Sequence, residues 1–303
     1  MHTVRRNAVI DLGTNTFHLL IAEVNDVGHI HEIHRERHFV KLAENGIAEI
    51  GPAPYRRGQE ALKLFRQVLD EQEVREVRAF GTAALRTASN GPDFIREARE
   101  AAGIDITLIP GDEEARLITK GVLLAIPPPE GRILIMDIGG GSTEFIIVAD
   151  GEALWRQSFP VGVSVLHNGF HHQDPISSGE VTRLEDFLSR ELRPLQRALE
   201  RYPAHHLVGA AGTFDVLANV LYDENAPKHP TSHQLQLDGL AELHDRIINS
   251  TLEERLHTPG IPAQRADMIV VAMILLRFVF TLAGIRRVTV SDYAMKEGML
   301  SEM

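Results

Sequence analysis

Asp11-Leu12-Gly13-Thr14-Asn15-Thr16 and Asp137-Ile138-Gly139-Gly140-Gly141-Ser142-Thr143 are two renderings of one motif, and their recurrence decides the fold. Each follows an apolar run, Ala8-Val9-Ile10 in the first copy and Ile133-Leu134-Ile135-Met136 in the second. Each leads into another, Phe17 to Ala22 and Phe145 to Ala149. Gly28-His29-Ile30 and Gly151-Glu152-Ala153-Leu154 then read as second turns opening third strands. The pattern is strand, tight polar turn, strand, turn, strand, twice over.

The turn has a definite chemistry. Glycine lets the backbone bend sharply and lets a ligand approach it. Successive N–H groups in such a turn form an anion-binding nest. Gly13, Thr14, Asn15 and Thr16 in one copy, and Gly140, Gly141, Ser142 and Thr143 in the other, are therefore the expected phosphate-binding residues. Asp11 and Asp137, at the ends of the preceding strands, supply the opposite chemistry: a carboxylate there can hold hydrated Mg²⁺ beside a phosphate. Two such loops facing each other would grip a phosphorylated substrate from both sides. Gly-rich hairpins without a ligand account for one copy easily, and for two matched copies poorly.

Composition narrows the field. A chain of 303 residues accommodates two domains, each with its own core. With 44% hydrophobic and 24% charged residues it reads as a soluble globular protein. The absence of cysteine removes disulfides, thiolate metal sites and thiol catalysis, and fits a reducing cytoplasm. Neither a signal peptide nor a membrane span is expected. The run after Arg5-Arg6 is broken by Asp11, and Met268 to Ala283, interrupted by Arg277, reads as a buried core helix. A net charge of −11 argues against DNA as a partner, and local arginines with a divalent cation would have to overcome it for a polyanionic substrate. The 15 histidines show no metal-ligand spacing and read as surface residues.

Along the chain, residues 7 to 40 read as three strands and Gly51-Pro52-Ala53-Pro54 as a loop. Helices are expected over Ala61 to Leu69, Asp93 to Ala102 and Gly111 to Leu124, with strands at Val77 to Phe80 and Ile106 to Ile109. Pro127-Pro128-Pro129-Glu130-Gly131 is the clearest break and sets the expected domains at 1–126 and 127–303, the last helix packing back on the first domain. The second half reads as strands to Phe159, a helix over Ser178 to Arg201 and a strand at Leu207-Val208. Helices follow near Phe214 to Leu221, Leu237 to Ser250 and Gln264 to Leu282, then a strand from Arg287 to Val290 and a short helix. Both halves alternate strand and helix, so each is α/β. Duplicated phosphate loops followed by α/β segments point to two RNase H-like domains of the actin-like ATPase superfold flanking a phosphate-binding cleft.

Three further segments narrow the choice: Gly81-Thr82-Ala83-Ala84-Leu85-Arg86-Thr87-Ala88-Ser89-Asn90, Gly111-Asp112-Glu113-Glu114-Ala115-Arg116-Leu117, and Asp137 to Glu144. In this order, after Asp11 to His18, they resemble the exopolyphosphatase/guanosine-pentaphosphate phosphohydrolase family. Gly209-Ala210-Ala211-Gly212-Thr213 and Ser291-Asp292-Tyr293-Ala294-Met295-Lys296-Glu297-Gly298 match later family segments, so the resemblance spans nearly the whole chain. Tyr293 departs from the pattern, standing where a glycine is usual. The chain resembles the short two-domain form, which implies a preference for short or nucleotide-linked substrates over long polyphosphate.

The resemblance implies hydrolysis of a terminal phosphoanhydride: polyphosphate shortened from its end, or pppGpp converted to ppGpp. It implies Mg²⁺, or Mn²⁺, as cofactor, a cytoplasmic enzyme and a homodimer. It makes Glu114 the base for the attacking water and Glu113 a structural neighbour. Arg86 would neutralise the transferred phosphoryl group. Asp137 and Glu144 would bind the metal, Glu144 alternatively orienting water, with Asp11 the counterpart of Asp137. Lys41 falls in a segment resembling a basic substrate contact. Two other readings use the same motifs: a kinase on this scaffold, and a non-catalytic or slow (p)ppGpp- or polyphosphate-binding regulator.

Overall fold

The structure, a computed structural model, describes residues 6–24, 30–221 and 228–303. The turn read at Gly28-His29 lies outside the described residues. The chain forms two compact units, one of Met1–Gly121 with Ala294–Met303 and one of Val122–Tyr293.

In the first unit, β1 (Arg6–Leu12), β2 (Thr16–Val24) and β3 (Ile30–Phe39) form an antiparallel meander. β4 (Glu76–Gly81) adds parallel to β1, and β5 (Ile106–Leu108) parallel to β4, giving the order β3-β2-β1-β4-β5. The helices are α1 (Pro52–Glu71), α2 (Ala83–Thr87), α3 (Gly91–Ala102) and α4 (Gly111–Ala125). Ile10, Leu12, Phe17 and Leu19 of the sheet are buried in one cluster with Phe65 of α1 and Phe94 of α3.

The second unit repeats this plan. β6 (Ile133–Ile138), β7 (Thr143–Ala149) and β8 (Glu152–Phe159) form the meander, joined between β7 and β8 by Asp150 and Gly151, both at positive φ. That pair is the two-residue turn an Asp-Gly sequence favours. α5 (Val163–Phe170), α6 (Ser178–Glu191) and α7 (Arg193–Arg201) lead to β9 (His206–Ala210), parallel to β6. After α8 (Gly212–Leu221), β10 (Ser232–Gln234), α9 (Leu240–Ile248), α10 (Leu252–Leu256) and α11 (Ile269–Ala283) comes β11 (Arg287–Ser291), parallel to β9. The order β10-β11-β9-β6-β7-β8, read without the edge strand β10, matches the first sheet strand for strand. Each half is RNase H-like, as the duplicated motif implies.

Several elements depart from the sequence reading. α1 begins at Pro52, because Gly51 is extended and a proline in the first turn loses no helical hydrogen bond. The single helix expected over Ser178 to Arg201 is two, divided at Leu192 where Pro194 enters the next first turn. α2, α5, α10 and β10 are too short for periodicity to mark. α11 fills the core of the second unit, and no helix of the described residues is long and apolar enough to cross a membrane.

The units divide between Gly121 and Val122, inside α4, while the expected boundary at 126/127 follows the end of that helix. The closing helix α12 (Met295–Leu300) belongs to the first unit, packed on β1 and β2. Its backbone meets α4 directly. A Cβ on Gly121 would stand 1.8 Å from the Ala294 carbonyl oxygen, and one on Gly298 1.9 Å from that of Leu117. Gly298→Ala should therefore destabilise the protein by about 1–3 kcal/mol through overpacking. Gly169→Ala, with nothing within 4 Å of its Cβ, should be neutral or stabilising. Thermal melts of the two variants decide it, and a wild-type melt for Gly298→Ala would unseat α12.

Candidate functional site

The first unit sets its polar residues at the end of β1 and β4. The β1–β2 turn closes through Gly13 N, which donates to the Thr16 carbonyl at 3.1 Å. The chain after β3 clamps the turn: Val40 N and Lys41 N donate to the Asn15 carbonyl at 2.9 and 3.0 Å, and Leu42 N to that of Thr14 at 2.7 Å. This fixes Lys41 beside the turn in a left-handed conformation, φ 50°, which non-glycine residues rarely adopt. Thr14 is buried, and its Oγ1 makes no hydrogen bond with the described residues. A buried hydroxyl without a partner is unfavourable in isolation and suits a ligand acceptor.

Glu114 lies in the first turn of α4, where the helix dipole favours a carboxylate. Arg86, at the end of α2, donates through Nη1 to Glu114 Oε2 at 3.0 Å and to the Ile109 carbonyl at 2.7 Å. Glu114 is only 8% exposed. Burial raises its pKa to about 7, and the Asp11 charge adds to the rise, while Arg86 opposes it by charge and hydrogen bond. Asp11, half-buried, is raised to about 6 by desolvation, with Lys296 opposing and Glu297 reinforcing. Glu113 instead pairs with Arg116 at 2.7 Å on the helix surface, a structural contact.

The second unit builds its loop on the same frame. Gly139 N donates to the Ser142 carbonyl at 3.0 Å, the counterpart of the Gly13–Thr16 bond. The first amides of α5 are taken by this loop, Val163 N by the Gly139 carbonyl at 3.0 Å and Ser164 N by that of Gly140 at 2.8 Å. A Cβ on Gly162 would lie 2.4 Å from Gly140, so the segment before α5 packs against bare loop backbone. Thr143 is buried and its Oγ1 donates to the Val161 carbonyl at 3.1 Å. Asp137 stands directly opposite Glu144 in the β6–β7 register, and Glu144 opposite Ser158 of β8. Ser158 Oγ donates to Glu144 Oε1 at 2.6 Å and orients that buried carboxylate.

The structure thus gathers Asp11, Gly13–Thr16, Lys41, Arg86 and Glu114 in one unit, and Asp137, Gly139–Thr143 and Glu144 in the other. The copies differ in what faces the strand-end residues: Asp11 faces His18 where Asp137 faces Glu144, and Leu12 faces Phe17 where Ile138 faces Thr143. Two basic residues escaped the sequence reading. Lys296 on α12 is buried and acts electrostatically on Asp11. Its signal was a charged pair, Lys296-Glu297, inside an otherwise apolar short helix. Arg265 lies so close over Gly212 that a Cβ there would be 1.8 Å from its guanidinium carbon, and no sequence signal marks it.

A model of the Ppx/GppA phosphatase family matches residues 20–303. Among solved structures, the chain is similar to an exopolyphosphatase from Cytophaga hutchinsonii, with 39% identity and a TM-score of 0.92 over 98% of this chain and 96% of that one. It is also similar to the Aquifex aeolicus member of the Ppx/GppA family, with 26% identity and a TM-score of 0.80 over 99% and 97% of the two chains.

The displaced Glu114 ionisation has a consequence for stability. A carboxylate whose folded pKa lies above its unfolded value contributes stability that is complete below about 4.5 and lost as pH rises through about 7. Glu114→Gln removes that loss, so the melting temperature of the variant relative to wild type should climb between pH 4.5 and 7 and then level off. A difference independent of pH would mean that Glu114 titrates as an ordinary surface carboxylate.

Proposed function

Because this chain belongs to the Ppx/GppA phosphatase family, we propose that it releases orthophosphate from the end of inorganic polyphosphate, with pppGpp the second substrate to test. The observation that carries this reading is the Arg86–Glu114 pair: a buried glutamate whose pKa is raised to about 7, held by one hydrogen bond in a fixed direction. A general base works best with a pKa near the working pH. Similarity to a Cytophaga exopolyphosphatase over almost the full length of both chains supports polyphosphate as the substrate.

In the proposed reaction, water attacks the terminal phosphorus, the bridging P–O bond breaks, and the shortened chain leaves with the bridging oxygen. Glu114 accepts the proton lost by the water. Arg86 spends Nη1 on Glu114 and Ile109, while its Nε and Nη2 donate to nothing among the described residues. Those donors are suited to oxygens of the transferred phosphoryl group. The backbone amides of Thr14 to Thr16 and of Gly140 to Thr143, and the hydroxyls of Thr14, Thr16 and Ser142, are assigned to phosphate oxygens, with Lys41 beside the first set; the Thr143 hydroxyl is already given to the Val161 carbonyl.

Asp137 and Glu144 suit Mg²⁺ or Mn²⁺ by their chemistry: hard oxygen donors, opposite one another, one of them fixed by Ser158. Among the described residues no group of three or more His, Asp or Glu forms a metal-binding cluster. Two carboxylates are what Mg²⁺ usually takes from a protein when phosphate oxygens supply further ligands. Bound there, the ion would neutralise phosphate charge.

Phosphate release from tripolyphosphate, long polyphosphate, pppGpp and ATP, each with Mg²⁺ or with a chelator, tests the reading. Wild type should release phosphate without an added acceptor and stop when the metal is chelated. Glu114→Gln should fold and lose about 10²–10⁴-fold in turnover. Release that needs an acceptor would mark a kinase, binding without release a regulator, and more than about a third of wild-type rate in the variant would remove Glu114 as the base.

A further inference from the structure

We infer that Lys296 is a phosphate-binding residue, supplied to the first unit's half of the chemistry by the C-terminal helix; this rests on the phosphatase reading above. α12 is fixed rigidly enough to hold such a residue. Besides the two glycine contacts with α4, Glu297 accepts from Arg35 of β3 at 2.9 Å and from Ala294 N at 2.8 Å. Glu302, just beyond the helix, accepts from Arg116 of α4 at 3.0 Å.

With Glu297 occupied by Arg35, Lys296 stands apart. It is only 9% exposed, and its ammonium makes no hydrogen bond or ion pair with the described residues. Among the described residues the unit buries two acids, Glu114 and Glu297, and holds a third, Asp11, half-buried, each with a nearby cation. Glu297 touches Arg35 and Glu114 touches Arg86, but Asp11 feels Lys296 only across a gap. The Lys296 ammonium is not among the side-chain atoms closed off from solvent without a partner, so the stem is buried while the charged end stays open to water or to a ligand. The arrangement is suited to an anion from outside the chain, one that accepts hydrogen bonds from three N–H donors on a point charge. A phosphate oxygen meets that description. The unpartnered, buried Oγ1 of Thr14, in the turn that follows Asp11, is a second donor in the same unit without an acceptor of its own.

The test compares wild type, Lys296→Met and Lys296→Arg in thermal melts with increasing sodium orthophosphate, and in steady-state release from tripolyphosphate. Wild type should be stabilised by orthophosphate. Lys296→Met should melt as wild type or higher without phosphate, and its phosphate affinity should fall about 10–100-fold, the range for losing one charged hydrogen bond. Its KM for tripolyphosphate should rise by a similar factor with a smaller change in kcat, and Lys296→Arg should recover part of both. Equal protection of wild type and Lys296→Met by phosphate, or protection of neither, overturns the inference. So does a Lys296→Met protein that melts well below wild type, since Lys296 is then structural. If wild type releases phosphate from no substrate, the phosphatase reading falls, while loss of orthophosphate protection in Lys296→Met still supports the anion site.

Discussion

The guanidinium of Arg86 ties the strand-end carbonyl of Ile109 to the carboxylate of Glu114, and the chemistry of the first unit depends on that tie. Burial alone would drive Glu114 neutral, and a carboxylic acid cannot accept the proton of an attacking water. An arginine on both oxygens would hold it ionised but weakly basic. One donor at 3.0 Å, shared with a backbone carbonyl, leaves Glu114 near 7, between those limits. The tie also links α2 to the end of β5 and the start of α4, which follow one another directly, 23 to 28 residues beyond Arg86. The position of the base is thus fixed by the same bond that sets its ionisation.

The two halves share a scaffold and differ in chemistry. Strand order, the strand-end aspartate and the turn hydrogen bond recur. The residue facing the aspartate does not: His18 in one half, Glu144 in the other. Among the described residues, the second half therefore sets two carboxylates opposite one another, Asp137 and Glu144, and the first buries a glutamate against an arginine at the start of a helix. The loops diverge for a packing reason as well. Gly140 and Gly141 lie under the segment before α5, where a Cβ on Gly162 would already collide. In the first copy Thr14 and Asn15 give their carbonyls to the chain after β3.

Much of this was legible in the sequence because it is local. The turns and their flanking strands show as apolar runs around Gly-Thr and Gly-Ser clusters, and Glu114 as a carboxylate opening a helix. What stayed hidden depends on partners far apart in the chain. The charged pair Lys296-Glu297 in an apolar helix marks the lysine as unusual, but not as a neighbour of Asp11, because that neighbourhood exists only once α12 rests on β1. The exact start of α1 at Pro52 and the break at Leu192 were hidden for a smaller reason: proline in a first helical turn reads in sequence as a loop or as nothing.

The ionisation of Glu114 can be measured directly, by following the carboxyl signal that infrared difference spectra assign to it by its loss in Glu114→Gln. The midpoint should lie near 7 in wild type and higher in Arg86→Gln, where the opposing charge is removed. A midpoint near 4.5 in both proteins would show that neither burial nor Arg86 governs the carboxylate, and would contradict the account.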